Sequence, residues 1–290
     1  MNSNIIGKKI LLTGVNGMLC EDIIKLFKNK NAILYTEYFD VNDEFKWKEI
    51  ITNFKPEIVI HAAAITNLDF CELNPDLCFE TNFKSVIKML KYLKNEKIIF
   101  ISSSGVYGNS ILDNFYNENS ELNPTTVYHE SKSKAEKYIS SNYSNYLILR
   151  LGWLFGGKKN HKKNFVSKIL KESVTSKTIL SDNKTIGSPT YTLDVANQIY
   201  HLIVNDVKGV FNCVNKSKKP ISRLEYVETI INLSNLKNNV IPSSDNFFKR
   251  KASVPKNESC INLNLNNLSL NKMLDWKISL GNYLKKISEN

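Results

Sequence analysis

The chain has 290 residues, 42% hydrophobic and 23% charged, with a formal net charge of +11. That balance is the composition of an ordinary soluble globular protein, large enough for one big domain or two unequal lobes. No apolar run approaches the ~20 residues of a membrane span, which excludes a transmembrane reading.

The opening "MNSNIIGKKILLTG" lacks a basic-then-apolar signal and leads straight into a buried-strand run over 8–14, so a cytoplasmic address is expected. "TGVNGML" follows that strand and opens a helix over 18–29 with Leu19, Ile23, Leu26 and Phe27 on one face. Gly14 and Gly17 permit a tight turn with close backbone approach to a pyrophosphate at the helix N-terminus, and Asn16, Met18 and Leu19 belong to the same cofactor-binding turn. The third small residue of a full dinucleotide fingerprint is replaced by Cys20. A second strand, 32–36, runs into "TEYFDVND", where Glu37 lies 23 positions past Gly14 and can accept hydrogen bonds from an adenosine ribose. A carboxylate there repels a 2′-phosphate, and no basic residue occurs from 31 to 45. The cofactor expected is therefore NAD or NADP, with NAD favoured.

Further strands are read at 57–64, 97–102 and 146–151, with a helix over "ETNFKSVIKMLKYLKN". Strand–helix alternation with near-continuous apolar strands predicts an α/β, Rossmann-like, doubly wound parallel sheet. "FISSSGVYG" ends the fourth strand with three hydroxyls at the sheet's carboxyl edge. Tyr128 follows Ser103 by 25 residues, and Lys132 lies one helical turn further on the same face. A Ser–Tyr–Lys set suits carbonyl reduction. Ser103 would hydrogen-bond the carbonyl oxygen, Tyr128 would protonate it, and Lys132 would hold the nicotinamide ribose and lower the phenol's pKa.

Beyond residue 151 the pattern loosens into a helix "NFVSKILKESV", a strand "KTILS", a helix "TLDVANQIYHLI", a strand "GVFNCV" and a helix "SRLEYVETIINLS", then an Asn-, Ser- and Lys-rich tail. The division expected is a dinucleotide-binding domain over 1–150, with 190–210 added, and a smaller substrate lobe from 151–189 and 211–290. The five cysteines are scattered, and "CELNPDLC" fits no common zinc spacing, so they read as reduced thiols without a metal. The lysines are dispersed and nothing resembles a nucleic-acid module. The one dense cluster, "GGKKNHKKN" at 156–164, is either a solvated loop or an attractor for an anionic small molecule such as a nucleotide diphosphate.

Taken in this order, "ILLTGVNGML", "VIHAAAITNLDFCELNP", "ISSSGVYG", "YHESKSKAE", "LRLGWLFG", "KNFVSKIL" and "GSPTYTLDVA" resemble the extended short-chain dehydrogenases/reductases over nearly the whole chain. Within that group the chain is most similar to dTDP-4-dehydrorhamnose reductase-type enzymes. The resemblance implies NAD(P)-dependent reduction of the 4-keto group of a nucleotide-linked 6-deoxysugar for surface polysaccharide synthesis. It places Asp40 and Val41 at the adenine, Ala62, Ala63 and Ala64 along the cofactor, and Asn82 in support from the next helix. Ser103, Tyr128 and Lys132 become catalytic, and Ser104, Val106, Trp153, Asn164 and Phe165 face the sugar nucleotide. Bland alternatives stand beside these: a packed strand end for the alanines, a helix cap for Asn82, a core position for Trp153, and a packed His61. One departure is Val254 before Pro255, where such reductases often carry an arginine. Partners expected are the nucleotide sugar alone, with no nucleic acid or membrane and with a homodimer as the assembly considered. The alternatives in function are an epimerase or dehydratase that recycles bound NAD, and a non-catalytic NAD(P)-binding regulatory subunit.

Overall fold

A computed structural model describes residues 5–111, 113–244 and 250–289. In the first half, β1 (Lys9–Thr13), α1 (Met18–Asn29), β2 (Ile33–Tyr35), α2 (Glu44–Phe54) and β3 (Ile58–His61) alternate. Short helices α3 (Leu68–Leu73) and α4 (Pro75–Phe79), a π-helical turn Glu80–Lys84 and α5 (Ser85–Leu90) lead to β4 (Lys97–Ser103), and α6 (Val127–Asn142) leads to β5 (Tyr146–Leu151). The remainder comprises β6 (Trp153–Phe155), α7 (Phe165–Thr175), β7 (Thr178–Ser181), β8 (Ile186–Gly187), β9 (Pro189–Tyr191), α8 (Thr192–Val204) and β10 (Gly209–Cys213). After these come β11 (Ile221–Ser222), α9 (Arg223–Leu233), β12 (Asn239–Pro242), β13 (Asn257–Glu258), α10 (Leu263–Asn267) and α11 (Trp276–Ser288).

Six parallel strands make the central sheet in the order β10-β5-β4-β3-β1-β2. Successive side chains leave opposite faces of a strand, so apolar runs must be covered twice. Ile10, Leu12, Ile60, Ile99, Leu147 and Leu149 bury on one face against Leu19, Ile23 and Phe27 of α1 and Val195, Ile199 and Leu202 of α8. Leu11, Val59, Ile98, Phe100 and Ile148 bury on the other against Trp47 and Ile50 of α2, Val86 and Met89 of α5 and Ala135 and Ile139 of α6. Each such side chain stabilises the fold by about 1.5–3 kcal/mol when fully buried. The doubly wound parallel sheet is thus as predicted.

A second, aromatic cluster holds the other elements together. Phe155 stacks on Tyr191 at 5.3 Å between centroids and meets Tyr226 and Tyr283 at its edges. Three small sheets, β11-β8-β13, β12-β7 and β6-β9, surround it. The details differ from expectation in three places. Phe211 to Cys213, assigned to the smaller lobe, lie in β10 and complete the main sheet beside β5, where Phe211 pairs with Leu149. The helix read over 80–95 is a π turn followed by α5, ending at Leu90. The supposed polar tail ends in α11, which buries Trp276, Leu280, Tyr283, Leu284 and Ile287.

Candidate active site

At the carboxyl end of the sheet, the tips of β1 and β3 are tied by a polar chain. Thr13 Oγ1 accepts from the Ala62 and Ala63 N–H groups at 3.2 and 3.1 Å and lies 2.9 Å from His61 Nδ1. His61 Nε2 is 3.2 Å from Ser85 Oγ, which donates to Thr81 O at 2.6 Å. With Ser85's proton committed, Nε2 is the donor and Nδ1 accepts from Thr13, so His61 is a neutral structural link. Burial, with the nearby Lys132 charge, lowers its pKa to about 3. His61 is packed, as expected.

This framework shapes a cleft of about 290 Å³ lined by Gly14, Val15, Glu37, Asp40, Val41, Ala63, Ala64 and Thr81, among others. Gly14 has φ +70°, and a Cβ there would stand 2.7 Å from Ala63 N and 2.8 Å from Ala62 O. Any side chain would fill the cradle. Gly17 caps α1 without a side-chain hydrogen bond, leaving first-turn N–H groups free to face an anion. Cys20 fills the third-glycine position as a buried helix–sheet contact, its thiol donating to Thr13 O at 3.5 Å. Met18 opens α1 beside this turn, whereas Leu19 points its side chain into the core and can contribute only main chain here. Glu37 and Asp40 are exposed at the cleft, and Val41 is buried behind them. The basic loop lies against the same turn: His161 Nε2 donates to Asn16 O at 3.1 Å, and Lys163 Nζ to Thr66 Oγ1 at 2.7 Å.

Asn82 is fully buried and sutures the site. Its amide oxygen accepts from Ile65 N at 2.8 Å, while its nitrogen donates to Ile65 O at 3.0 Å and to Ser131 Oγ at 3.1 Å. Ser131 Oγ donates onward to Tyr128 O at 2.6 Å. The π turn that carries Asn82 thereby fixes the β3–α3 loop to α6. It acts behind the cleft, not as a cap.

Ser103 and Tyr128 come together. Ser103 ends β4, its Oγ accepts from Gly105 N at 3.2 Å, and it lies near enough to the Tyr128 phenol to pull that phenol's pKa down. α6 begins one residue before Tyr128 because Thr126 caps it, accepting from His129 N at 3.2 Å. Lys132, one turn on, is 1% exposed and lies over the Phe100 ring, 3.9 Å from its centroid. Burial lowers its pKa to about 7 against the pull of Glu136 and Cys78. Burial raises the phenol's pKa, reinforced by Glu258, Cys71 and Cys78. The expectation that Lys132 lowers the phenol's pKa is therefore corrected. An ammonium that itself loses charge near pH 7 cannot dominate two buried thiols, a carboxylate and desolvation.

The substrate side departs further. Ser104 and Val106 are buried at 1% and 0% exposure. Asn164, expected against the sugar, is instead the buried cap of α7, accepting from Ser167 N at 3.3 Å and donating to Gly156 O at 3.1 Å and to Tyr283 Oη. Its capacity is spent inside the fold. Phe165 is partly exposed and stacks on Tyr226. Trp153 is 8% exposed because Gly187 packs on its ring and Arg223 lies over it at 3.4 Å.

Sequence reasoning missed Glu258 and Arg223 and set His129 aside. Glu258 Oε2 accepts from Trp153 Nε1 at 2.5 Å, and Oε1 faces His129 Nε2 at 3.6 Å. A Cβ on Gly105 would lie 2.1 Å from that imidazole and 2.6 Å from that carboxylate. The strand-end motif carries no acid of its own, yet the C-terminal segment brings one against it. The signal available was local: a glycine directly after the three serines. Among the described residues there is no cluster of metal-ligating side chains and no helix long and apolar enough to cross a membrane.

Comparison with known proteins agrees with this geometry. The spore coat polysaccharide biosynthesis protein SpsK of Bacillus subtilis (strain 168) is 26% identical over 254 residues, covering 85% of this chain and 87% of its own. The crystal structure of a dTDP-4-dehydrorhamnose reductase from Clostridium acetobutylicum is similar at a TM-score of 0.90 and 26% identity, over 97% of this chain and 99% of that one. Its counterpart from Bacillus anthracis, in complex with NADP, gives 0.89 at 25% identity, over 97% and 100%. Residues 8–289 match the family described as RmlD substrate binding domain. By that match over almost its entire length, the chain belongs to the RmlD substrate-binding domain family.

Proposed function

We propose that the protein reduces the 4-keto group of a nucleotide-activated 6-deoxysugar, using a nicotinamide dinucleotide, in surface polysaccharide synthesis. The observation that carries the reading is the placement of Ser103 at the tip of β4 beside Tyr128 in the first turn of α6, with Lys132 buried one helical turn further on. The names of the polysaccharide and reductase relatives support the substrate class.

The cradle at Gly14 and the open first turn of α1 fit a dinucleotide's pyrophosphate. In this reading the main chain of Gly14, Asn16, Gly17, Met18 and Leu19 holds the phosphates. Glu37, Asp40 and Val41 take the adenosine, and Ala62, Ala63 and Ala64 line the nicotinamide half with Lys132 at its ribose. When bound, the reduced cofactor supplies a hydride to the carbonyl carbon. Ser103 and Tyr128 would grip the carbonyl oxygen between two hydroxyls. Because its pKa is raised, Tyr128 stays protonated at neutral pH and is suited to donate that proton. The phenolate left behind is then stabilised by Ser103 before solvent returns the proton. With carboxylates at Glu37 and Asp40 in the cleft, NAD(H) is the cofactor assigned over NADP(H).

The test is NADH and NADPH consumption with dTDP-, GDP- and UDP-linked 4-keto-6-deoxysugars, for the wild type and Tyr128→Phe. The wild type should consume NADH stoichiometrically. The variant should lose about 10²–10⁴-fold in kcat with cofactor Kd within twofold. Silence across the panel, with cofactor binding verified, would sink the reading. Turnover without net NADH use would assign an epimerase or dehydratase, and an unaffected phenylalanine variant would assign a non-catalytic binding subunit.

A further inference from the structure

Only three of the 39 basic residues are arginine: Arg150, Arg223 and Arg250. Arg150 is accounted for by a buried bidentate pair with Glu136, at 3.1 and 2.7 Å to Oε2. Arg223 has no such partner. Its guanidinium lies flat on Trp153, 3.4 Å from the ring centroid, and 5.0 Å from that of Phe165. Among the described residues none hydrogen-bonds its five N–H donors. Among the described residues, the two acids whose charge reaches it, Glu258 and Asp182, are engaged elsewhere. Glu258 holds the Trp153 indole N–H, and Asp182 caps its own turn through Lys184 N at 2.7 Å and Thr185.

The small sheet β11-β8-β13 builds this arrangement. Ile221 and Glu258 both pair with Gly187, so Glu258 and the start of α9 at Arg223, directly after β11, are brought to the strand that carries the Gly187–Trp153 contact. The stack Gly187–Trp153–Arg223 presents a flat, half-buried fork beside the Glu258 carboxylate, with the Arg250 charge nearby. A guanidinium with unpaired parallel N–H groups is complementary to a phosphate's two oxygens and to little else of comparable strength.

We propose that Arg223, seated on Trp153 and oriented by Glu258, is the residue that binds a phosphate of the nucleotide-activated sugar. The proposal rests on the sugar-nucleotide reading above and names the group that recognises its anionic half.

The test uses nucleoside diphosphates without a sugar, dTDP, UDP and GDP, titrated calorimetrically into the full-length protein and into Arg223→Gln and Arg223→Lys. The glutamine variant keeps a planar stack without charge, and the lysine keeps charge without the fork. The preferred diphosphate should lose roughly 10–100-fold in affinity with glutamine and at least about fivefold with lysine. NADH affinity should stay within twofold in both, which also reports that they are folded. Wild-type diphosphate affinity in either folded variant overturns the proposal and leaves the reductase reading intact. A wild-type protein that binds none of the three overturns both.

Discussion

Lys132 is held where its charge is unwelcome, and the consequence for stability can be measured. It is 1% exposed, and its pKa falls from the ordinary 10.5 to about 7, because burial outweighs the attraction of Glu136 and Cys78. The folded state therefore binds this proton more weakly than the unfolded chain. Below pH 7 both states carry the charge and the fold bears the full penalty. Between pH 7 and 10.5 the unfolded chain alone stays protonated, and stability rises with pH by about 1.4 kcal/mol per unit. Above that window both states are neutral and the penalty is gone. A depression of this size corresponds to about 5 kcal/mol at low pH. That figure already contains the ammonium's contact with Phe100, whose own worth is about 1–2 kcal/mol at a desolvated site. Lys132→Met removes the charge at similar volume but gives up some packing fit, typically under about 1.5 kcal/mol. The variant should therefore be more stable than the wild type at pH 6 by about 3 kcal/mol, the advantage vanishing by pH 10.5. Urea unfolding of both proteins from pH 6 to 10.5, compared as a difference, isolates Lys132 from other titrating groups. A difference curve flat with pH, or a variant less stable at pH 6, refutes the argument. Turnover should be lost at every pH, as for a site that trades stability for chemistry.

Two further outcomes follow from packing. Glu136→Gln leaves Arg150 buried with its charge uncompensated and puts an amide NH2 where one of the carboxylate oxygens accepts; it should destabilise by about 3–5 kcal/mol in urea, and Glu136→Met with Arg150→Met should recover most of the loss. Gly105→Ala drives a methyl group to within 2.1 Å of His129 Nε2 and 2.6 Å of Glu258 Oε1, so it should cost more than about 2 kcal/mol and lower kcat by displacing Ser103, whereas Gly281→Ala, with open space around its Cβ position, should be neutral or stabilising.

The Rossmann-like sheet was legible because each strand is a short, nearly unbroken apolar run and each helix between carries one apolar stripe. Ile10, Leu11 and Leu12 could only be buried on both faces, and they are. The Ser103–Tyr128–Lys132 set was legible because its members sit at a strand tip and one helical turn apart, spacings that local geometry dictates. α11 went unread although Trp276, Leu280, Tyr283, Leu284 and Ile287 keep helical spacing, because the Asn- and Lys-rich stretch around them masked the stripe. Asn164 was misplaced because its position next to the loop says nothing about which way a capping amide points. Glu258 and Arg223 were illegible for a different reason: no local pattern connects residues 153, 187, 223 and 258.

That last distinction bears on how the site is encoded. The residues assigned to proton transfer and to the cofactor lie on the sheet's carboxyl edge and on α6, where register and helix pitch fix their separations. Those assigned to recognition hang on β6, β8, α9 and β13, short pieces joined only by the aromatic cluster and by a three-stranded sheet two residues deep. A substitution there can move a charge without disturbing the Ser103–Tyr128 contact. Arg223 laid on Trp153 stands at such a position, at the first residue of α9. Reaction type and substrate choice can then drift apart within one fold. The affinity of Arg223 variants for a bare nucleoside diphosphate, set against their unchanged NADH binding, measures that separation directly.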